Sequence, residues 1–401
     1  MSWFTEWLDS LQQLAIMDWI SMIAMWVIGG LLIYLAIKKD MEPTLLLPMG
    51  FGAIIVNLPG VMKQVMEKVE IGGKFVEQAK LDDFGNPIYD AGPLSTLFGA
   101  GIANELFPLI LFIGIGAMID FGPLLSNPKL MIFGAAAQFG IFFTYTMASL
   151  FFPLNEAASI AIIGAADGPT SIIVADKLNS QYMGAIMVAA YSYMALVPVV
   201  QPPVIKLLTT KKERRIRMKY EGKAISKRTK ILFPIVVSVI AGVVSPQSAV
   251  LIGFLMFGNL IRECGVLDSL SETAQKVLAN LITILLGITV AKNMSADKFL
   301  SWETALILGL GLVAFIFDTA GGIMFAKFLN IFLPEGKKFN PMIGAAGISA
   351  FPMSSRVVHK IGLEEDNQNF LLMHATGVNV SGQVASVIAG GMILNFFKDF
   401  I

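Results

Sequence analysis

The chain has 401 residues, of which 55% are hydrophobic and 14% are charged, and its formal net charge is zero. A soluble domain carries roughly 25% charged residues, so this composition excludes a soluble globular protein and indicates a membrane protein with several spans. One cysteine and two histidines also exclude a disulfide framework and a cluster of Cys and His metal ligands.

Residues 1–60 are predicted to hold an interfacial helix and the first membrane segments. The N-terminal sequence "MSWFTEWLDSLQQLAIMDW" lacks the basic region of a signal peptide. Its tryptophans suit the headgroup level of a bilayer, so it is typical of an amphipathic helix lying in the membrane interface. Residues 61–93 mix charges of both signs with turn-forming residues, and we expect an extramembrane loop there.

Apolar runs then follow one another along the rest of the chain, as far as Phe397. A helix needs about 20 apolar residues to cross the bilayer. Several of the runs are shorter than this or are interrupted by glycine, so their number is open. We predict an all-α polytopic membrane protein with about nine to twelve membrane segments.

A strongly basic stretch, "TTKKERRIRMKYEGKAISKRTK", occupies residues 209–230. Because short loops rich in Lys and Arg stay on the cytoplasmic side, this loop predicts the orientation of the chain. Two interpretations of its charge remain open, a solvated loop or a contact with lipid headgroups or a partner subunit. Residues 231–276 are predicted to be connecting membrane segments.

Two similar segments suggest an internal repeat, with residues 94–208 as the first transport repeat and 277–401 as the second. "FFPLNEAASIAIIGAADGPTSIIVADKL" begins at Phe151, and "IFLPEGKKFNPMIGAAGISAFPMSSRVVHKIG" begins at Ile331. Both contain "IGAA" followed by a proline-containing break. Matched interruptions in two halves point to a transport site near the bilayer midplane, formed by broken or re-entrant helices. Chance similarity of Gly- and Ala-rich membrane segments is the alternative.

Asp167 lies in the first of these breaks and is followed by Gly168 and Pro169. A charge at the bilayer centre costs roughly 2.5–3.5 kcal/mol, so it persists where it faces a cavity, a pair or an ion. The Gly-Pro pair stops the helix and frees carbonyl oxygens, and Thr170 and Ser171 add hydroxyls. This cluster of hard oxygens indicates an alkali-cation site or a proton relay. The alternative is that Asp167 caps the following helix.

Polar residues elsewhere have both structural and functional interpretations. Tyr193 is either an interface anchor or a hydroxyl ligand or proton donor inside the cavity. Arg356 either snorkels to the interface or holds an anionic carboxylate. Asp318 is either a second relay or a buried hydrogen-bonded acid. The second half also offers neutral oxygens that complement one acid, among them those of Asn340, Ser349 and Asn379.

Four motifs in order resemble one family: "IGAADGPTSI", "AYSYMALVP", "NPMIGAAGISAFPMSSRV" and "GVNVSGQVASVIAGG". They are similar to the β subunit of the sodium-pumping biotin-dependent decarboxylases, which act on oxaloacetate, methylmalonyl-CoA, glutaconyl-CoA or malonate. The resemblance covers nearly the whole chain from about residue 20. It implies a multi-pass subunit of the plasma membrane, or bacterial inner membrane, that removes CO2 from carboxybiotin and couples this to Na+ export.

The resemblance also implies functional residues, because the family's essential side chains match positions of this sequence. The implied catalytic residues are Asp167, Tyr193 and Arg356. Those implied to bind the carboxybiotin are Arg356, Ser349 and Gly344. Those implied to bind Na+ are Asp167, Asn340, Ser349 and Asn379.

Partners follow from the same resemblance. No "AMKM"-like biotin-attachment sequence occurs in the 401 residues, so we expect the biotin on a biotinylated carboxyltransferase subunit or a separate carrier. A small membrane anchor subunit, a homo-oligomer (a trimer) and membrane lipid are the other expected partners, and no nucleic acid is expected. The alternative function is a secondary Na+-coupled carboxylate transporter without decarboxylase chemistry, in which Arg356 would bind the substrate.

Overall fold

The computed structural model describes residues 15–39, 43–71, 74–81, 89–220 and 224–398. Most of the interfacial helix expected at the N-terminus lies outside the described residues. The chain forms two compact units, Met1–Leu106 with Thr283–Ala305, and Phe107–Ile282 with Leu306–Ile401. About 78% of the structure is helical, which agrees with an all-α membrane protein.

The α-helices of the first half are α1 (Ile16–Lys39), α2 (Pro43–Val56), α3 (Pro93–Gly101), α4 (Leu106–Met118), α5 (Gly122–Ser126), α6 (Met131–Ala137), α7 (Phe139–Ala148), α8 (Leu154–Ala161), α9 (Gly168–Lys177) and α10 (Met183–Leu208). Those of the second half are α11 (Lys211–Arg214), α12 (Lys227–Val244), α13 (Ala249–Cys264), α14 (Asp268–Thr273), α15 (Ala279–Val290), α16 (Ala296–Phe299), α17 (Trp302–Ile331), α18 (Met353–Glu365) and α19 (Leu372–Phe396). Short 3-10 or π turns join many of them: Pro128–Leu130, Ile162–Ala165, Pro246–Ser248, Ala274–Leu278, Ala291–Met294 and Pro341–Gly347.

Four short strands lie in the loop that was expected to be extramembrane: β1 (Lys63–Gln64), β2 (Met66–Ile71), β3 (Lys74–Ala79) and β4 (Tyr89–Asp90). β1 pairs with β4 and β2 with β3, both antiparallel. The last four residues of the β2 sequence "MEKVEI" alternate charged and apolar residues, which is the period of a strand. The all-α prediction therefore misses two small sheets.

Six described helical stretches are long and apolar enough to cross a membrane: Ile16–Lys39, Pro128–Ala148, Met183–Leu208, Asp268–Met294, Trp302–Ile331 and Leu372–Phe396. The bent pair of α3 and α4 would bring the number to seven. The expected nine to twelve segments are not reached by this measure. Several apolar runs of the sequence form shorter helices, such as α2 with 14 residues, or are divided by a break.

Within the first unit, α1 and α2 approach closely through glycine. A Cβ atom at Gly29 or at Gly50 would lie 2.6 Å from the carbonyl oxygen of the other residue. Small residues at such crossings let two membrane helices bring their backbones together. Only 17% of the apolar window of α1 is buried inside the protein, so most of this helix is free to face lipid or another subunit.

Asn57 fastens the end of α2 inside the same unit. Its Nδ2 donates to the carbonyl oxygens of Ala53 (2.8 Å) and Met294 (2.7 Å), and its Oδ1 accepts from the amide of Ala296 (2.7 Å). The side chain is 4% exposed. The bonds to Met294 and Ala296 join the end of α2 to a segment more than 230 residues away in the sequence.

The second unit is built around α19. Its apolar window is 83% buried, the largest share among the six candidate spans of the described chain. A helix buried on nearly all sides can carry polar groups that face the protein, and α19 does so.

Elsewhere in the unit α4 crosses α13 at Gly116 and Gly258, where an added Cβ would overlap a carbonyl of the opposite helix.

The basic loop is attached to the protein more firmly than a solvated loop. Arg214 is 6% exposed, and its Nε donates to Glu365 at the end of α18 (2.6 Å). Arg217 forms a two-pronged ion pair with Asp366, at 2.6 and 2.9 Å. The hydrogen bond from Arg217 lowers the pKa of the Asp366 carboxyl. Part of the positive charge therefore fixes this loop to the end of α18.

Replacing Asn57 with Ala should destabilise the first unit, because it removes three hydrogen bonds made by a buried side chain. We expect a loss of about 2–4 kcal/mol in the free energy of unfolding. Thermal unfolding of the purified protein in detergent measures it. The exposed Asn104, which accepts one local bond from Leu106, is the matched control, and Asn104→Ala should stay within about 0.5 kcal/mol. Equal effects of the two changes would contradict the role of Asn57.

Candidate functional site

The first break separates α8 from α9 and consists of the 3-10 turn Ile162–Ala165 and two further residues. Ala166 takes the left-handed conformation at φ 51°, which turns the chain sharply before Asp167. Pro169 occupies the first turn of α9, where its missing N–H costs nothing. Every residue from Gly164 to Ser171 is buried. The helix is thus interrupted at the Gly-Pro pair, as the sequence predicted. The same pair begins a new helix, α9, inside the protein.

The second break contains the 3-10 turn Pro341–Gly347 and the irregular residues 348–352, after which α18 begins. The backbone amide of Ser349 donates to the carbonyl oxygen of Ala165 at 3.0 Å. This bond joins the second break to the first, only two residues before Asp167. The two interrupted segments therefore meet, which is the arrangement expected from their similar sequences.

Asp167 is 3% exposed and is the N-cap of α9. Its Oδ1 accepts from the amide of Thr170 (3.2 Å). Its Oδ2 accepts from the hydroxyl of Ser386 (2.8 Å) and from Nε2 of Gln383 (3.3 Å). Asp167 therefore does cap the following helix, as the alternative interpretation held. The cap uses only Oδ1, one of the two carboxylate oxygens. Among the described residues, no basic side chain forms an ion pair with this acid.

One face of α19 connects both breaks. Asn379, Gln383 and Ser386 are four and three residues apart, so they follow one another along the same side of the helix. The last two bind Asp167, and Nδ2 of Asn379 donates to the carbonyl of Ile348 in the second break (2.7 Å). The sequence offers Gln383 and Ser386 only among the neutral oxygens of the second half, and their spacing from Asn379 was a signal that could have selected them for the site.

Several buried oxygens on these elements have no hydrogen-bond partner within the described residues. They are Oγ1 of Thr170, the hydroxyl of Tyr191 and Oδ1 of Asn379. Ser349 contributes a further hydroxyl, which donates weakly to the carbonyl of Gly382 (3.5 Å). A buried oxygen without a hydrogen-bond partner is costly inside a membrane. A group of such oxygens therefore favours binding of a cation, which oxygen lone pairs can coordinate.

The two tyrosines of α10 have different positions. The ring of Tyr191 stands against Gly168, the residue after Asp167, so closely that a Cβ there would overlap it. The hydroxyl of Tyr193 donates to the carbonyl of Leu308 in α17. The structure thus places Tyr191 beside the acid and ties Tyr193, the expected site residue, to a neighbouring helix. Sequence alone could not separate them, because they are two residues apart.

Asn340 and Gly344 have structural contacts that the sequence did not predict. Asn340 caps the 3-10 turn through its Oδ1, and its Nδ2 donates to the carbonyls of Arg214 and Ile216 in the basic loop (both 2.9 Å). Its amide is therefore fully engaged away from Asp167. Gly344 lies against Gly322 of α17, where a Cβ on either residue would overlap the other's carbonyl.

Arg356 is exposed and faces away from the buried side of α18. It lines an open cavity of about 430 Å³ together with His359, Lys360, Leu363, Glu364 and Leu372. The buried side of the same helix turn carries Ser354, whose hydroxyl contacts Gln201 and the carbonyl of Ala345 (both 3.0 Å). Arg356 is thus not part of the cluster around Asp167 and lies at a separate, positively charged pocket.

Residues 21–397 match the family described as the Na+-transporting oxaloacetate decarboxylase beta subunit. Methylmalonyl-CoA decarboxylase subunit beta of Propionigenium modestum is 47% identical over 383 residues, which cover 94% of each chain. The oxaloacetate decarboxylase beta chain of Klebsiella pneumoniae is 45% identical over 413 residues, covering 93% of this chain and 94% of that one. The chain belongs to this family of decarboxylase β subunits. The resemblance seen in the four motifs is therefore confirmed.

As a member of this family, the chain is an integral membrane protein and a subunit of a Na+-transporting decarboxylase. The alternative of a secondary transporter without decarboxylase chemistry finds no support. The described residues contain no group of three or more His, Cys, Asp or Glu side chains that could hold a metal. One carboxylate among neutral oxygens is instead the arrangement that suits a single monovalent cation.

Replacing Gly344 with Ala should destabilise the second unit, since the new methyl group would push against the carbonyl of Gly322. We expect a loss of about 1–3 kcal/mol in the free energy of unfolding, measured by thermal unfolding in detergent. Gly253 in α13 is the matched control, because no atom lies within 4 Å of its Cβ position. Gly253→Ala should be neutral or stabilise by up to about 1 kcal/mol. Normal stability of Gly344→Ala would show that the contact is not needed.

Proposed function

We propose that this subunit removes CO2 from carboxybiotin brought by a partner subunit and couples that step to Na+ export through a site at Asp167. The buried carboxylate at the junction of the two breaks, which has no ion-pair partner within the described residues, carries this proposal. It supplies one negative charge, and the neighbouring α19 face and the freed backbone supply neutral oxygens. Broken helices that meet in this way are the usual setting for Na+ coordination in transporters.

The proposed ion site consists of Asp167 with oxygens that can replace the water of Na+. Ser386 and the unpaired oxygens of Thr170 and Asn379 are its candidates, with Ser349 contributing from the second break. A single carboxylate neutralises a single Na+. Moving that charge against 100 mV costs roughly 2.3 kcal/mol, so one or two ions for each decarboxylation is a reasonable load. The amide of Asn340 binds the basic loop, so in this proposal Asn340 holds the second break in place and does not bind the ion directly.

The chemistry also requires a proton. Removing CO2 from the ureido nitrogen of carboxybiotin leaves a nitrogen that must gain one proton. Groups close to the ion site can release or relay it when Na+ enters, and Asp167 or Tyr193 was the expected donor. Tyr191 is better placed, because its hydroxyl has no partner within the described residues and its ring stands beside Asp167. We therefore include both tyrosines in the proposed proton path.

We place the docking of carboxybiotin at the Arg356 cavity. Its volume of about 430 Å³ is in the usual range for small-molecule sites. Arg356 and Lys360 provide positive charge for a carboxylate, and Leu363 and Leu372 provide apolar walls. Glu364 of this cavity pairs with Lys206 (3.6 Å), and the next residue binds the basic loop, so the cavity is on the predicted cytoplasmic side. A soluble biotin carrier can reach it there.

The remaining partners are proposed on the family resemblance. They are a carboxyltransferase subunit, biotinylated itself or served by a separate carrier, a small membrane anchor subunit, and further copies of this chain in a trimer. The largely exposed α1 is a suitable surface for lipid or for such a contact. We also propose that the two breaks act as half-crossings, which would raise the number of membrane segments above the six long helices.

Asp167→Asn should abolish Na+-dependent decarboxylation while the carboxyl transfer on the partner subunit continues. Removing one partner of a buried charge pair costs about 3–5 kcal/mol, which corresponds to a Na+ affinity lower by about 10²–10⁴-fold. Radioactive Na+ uptake into proteoliposomes containing the purified complex measures transport. Asp120→Asn is the control, because that carboxylate is 44% exposed and pairs with Lys230. Normal Na+ transport by Asp167→Asn would exclude the proposed site.

Arg356→Lys distinguishes a docking residue from a snorkelling one. If the planar guanidinium binds the carboxylate or ureido oxygen, Lys loses one charge-assisted bond and turnover at low carboxybiotin concentration falls about tenfold or more. Decarboxylation of free carboxybiotin by the purified complex measures it. Arg228→Lys, at an exposed position early in α12, should have no effect. Wild-type kinetics of Arg356→Lys would leave the cavity without its main anchor.

A further inference from the structure

A second acid, Asp318, lies on α17 between the two breaks. Ala314, one turn before it, packs against Gly164 of the first break. A Cβ atom added to Gly164 would lie 3.2 Å from the Cβ of Ala314. Gly322, one turn after it, packs against Gly344 of the second break. Each turn of an α-helix rises about 5.4 Å. Asp318 is therefore about 6 Å along the axis of α17 from Ala314, which contacts the first break, and about 6 Å from Gly322, which contacts the second.

Asp318 is 0% exposed, and both carboxyl oxygens lack a hydrogen-bond partner within the described residues. The carboxyl stands against Gly140 at the start of α7, where an added Cβ would overlap its Oδ1. The backbone amides of Gly140 and Ile141 face it without completing a hydrogen bond of normal geometry. A purely structural acid would be expected to use its oxygens, so this one is available to bind something.

Among the described residues, no basic side chain forms an ion pair with Asp318. The single titratable side chain of α7 is Tyr145, whose ring packs on Phe397, with centroids 5.6 Å apart. The 3-10 turn of the first break, which contacts the adjacent turn of α17, has no titratable residue. Along α17 itself, Lys327 is nine residues away and is held by the carbonyl of Leu208 (2.8 Å) and by Glu213. An ionised Asp318 would therefore be a lone buried charge.

We propose that Asp318 is a proton-binding site inside the membrane, which carries a proton at rest and exchanges it during the transport cycle. This inference rests on the proposed function, because decarboxylation of carboxybiotin consumes one proton for each CO2 released. The step is the reversible loss of H+ from the carboxyl group, COOH to COO−, and a proton from water restores it. The amide N–H groups that face this carboxyl cannot ligate a cation, and they stabilise its ionised form during exchange. Burial without a basic ion-pair partner among the described residues favours the protonated form at rest, so a proton fits the site better than Na+.

The experiment compares Asp318→Asn and Asp318→Glu in the purified, reconstituted complex. Asn has nearly the same shape as the protonated acid but cannot release a proton, and Glu keeps the titratable group. Three quantities are measured: the rate of decarboxylation against pH, Na+ uptake, and the equilibrium binding of radioactive Na+. A symmetrical elution peak and normal yield in detergent establish that each variant folds.

We expect Asp318→Asn to lower turnover on the order of 10²-fold with unchanged Na+ binding, since proton transfer by a placed group contributes about that much. Asp318→Glu should recover part of the rate with a displaced pH profile. Normal turnover in Asp318→Asn would show a structural acid, and a weakened Na+ affinity would show a cation ligand. Either result overturns the proposal. Asp167→Asn in the same binding assay tests the Na+ site separately, because it should remove Na+ binding whatever Asp318 does.

Discussion

The absence of water from the bilayer core is the constraint on which this architecture depends. A chain that interrupts a helix inside the membrane must satisfy the freed backbone groups with protein partners. The bond from the Ser349 amide to the Ala165 carbonyl does this for both breaks at once. Each break therefore supplies a backbone group that pairs with one of the other. The position of Asp167, two residues beyond this bond, follows from that pairing.

Close packing around the breaks requires residues without a side chain. Gly322 meets Gly344, and Gly382 of α19 meets the carbonyl of Gly347, at distances where any Cβ would overlap. Two long helices, α17 and α19, are thereby brought against the irregular segments and cover them from lipid. Gly344 is therefore explained by packing on α17, and a direct role in binding is not needed to account for it. The resemblance alone could not separate these two reasons for a glycine.

The sequence predicted those parts of the site that are made of residues close together in the chain. The apolar run around Asp167, the Gly-Pro stop and the similar break near Ser349 are patterns of neighbouring residues, and the structure places them together. Contacts between distant residues were not readable. Asp167 and Gln383 are 216 residues apart, and no pattern in either segment names the other. The choice between Tyr191 and Tyr193 depends on the rotation of one helix, which the sequence leaves open because both faces of α10 are apolar.

The fold shows the same division. The long spans α1, α10, α17 and α19 agree closely with the apolar runs, because hydrophobicity over 20 residues is a strong local signal. The predicted nine to twelve crossings are not confirmed, since a short or broken apolar run has the composition of a span without its length. Composition left two interpretations of the basic loop open, a solvated loop or a contact with lipid headgroups or a partner subunit, and neither predicted that Arg214 is buried in a bond to Glu365. An ion pair across 151 residues is invisible to charge counting.

The capping role of Asp167 and its proposed role in ion binding are compatible for a simple stoichiometric reason. A carboxylate offers about four lone-pair positions, and the amide of Thr170, the hydroxyl of Ser386 and the amide of Gln383 occupy three. The bond to Thr170 fixes the carboxylate at the start of α9 and leaves Oδ2 turned toward α19. Ser386 can rotate its hydroxyl so that its oxygen joins Oδ2 in facing a cation. The helix cap therefore orients the acid, and the neutral face of α19 decides what the acid can bind.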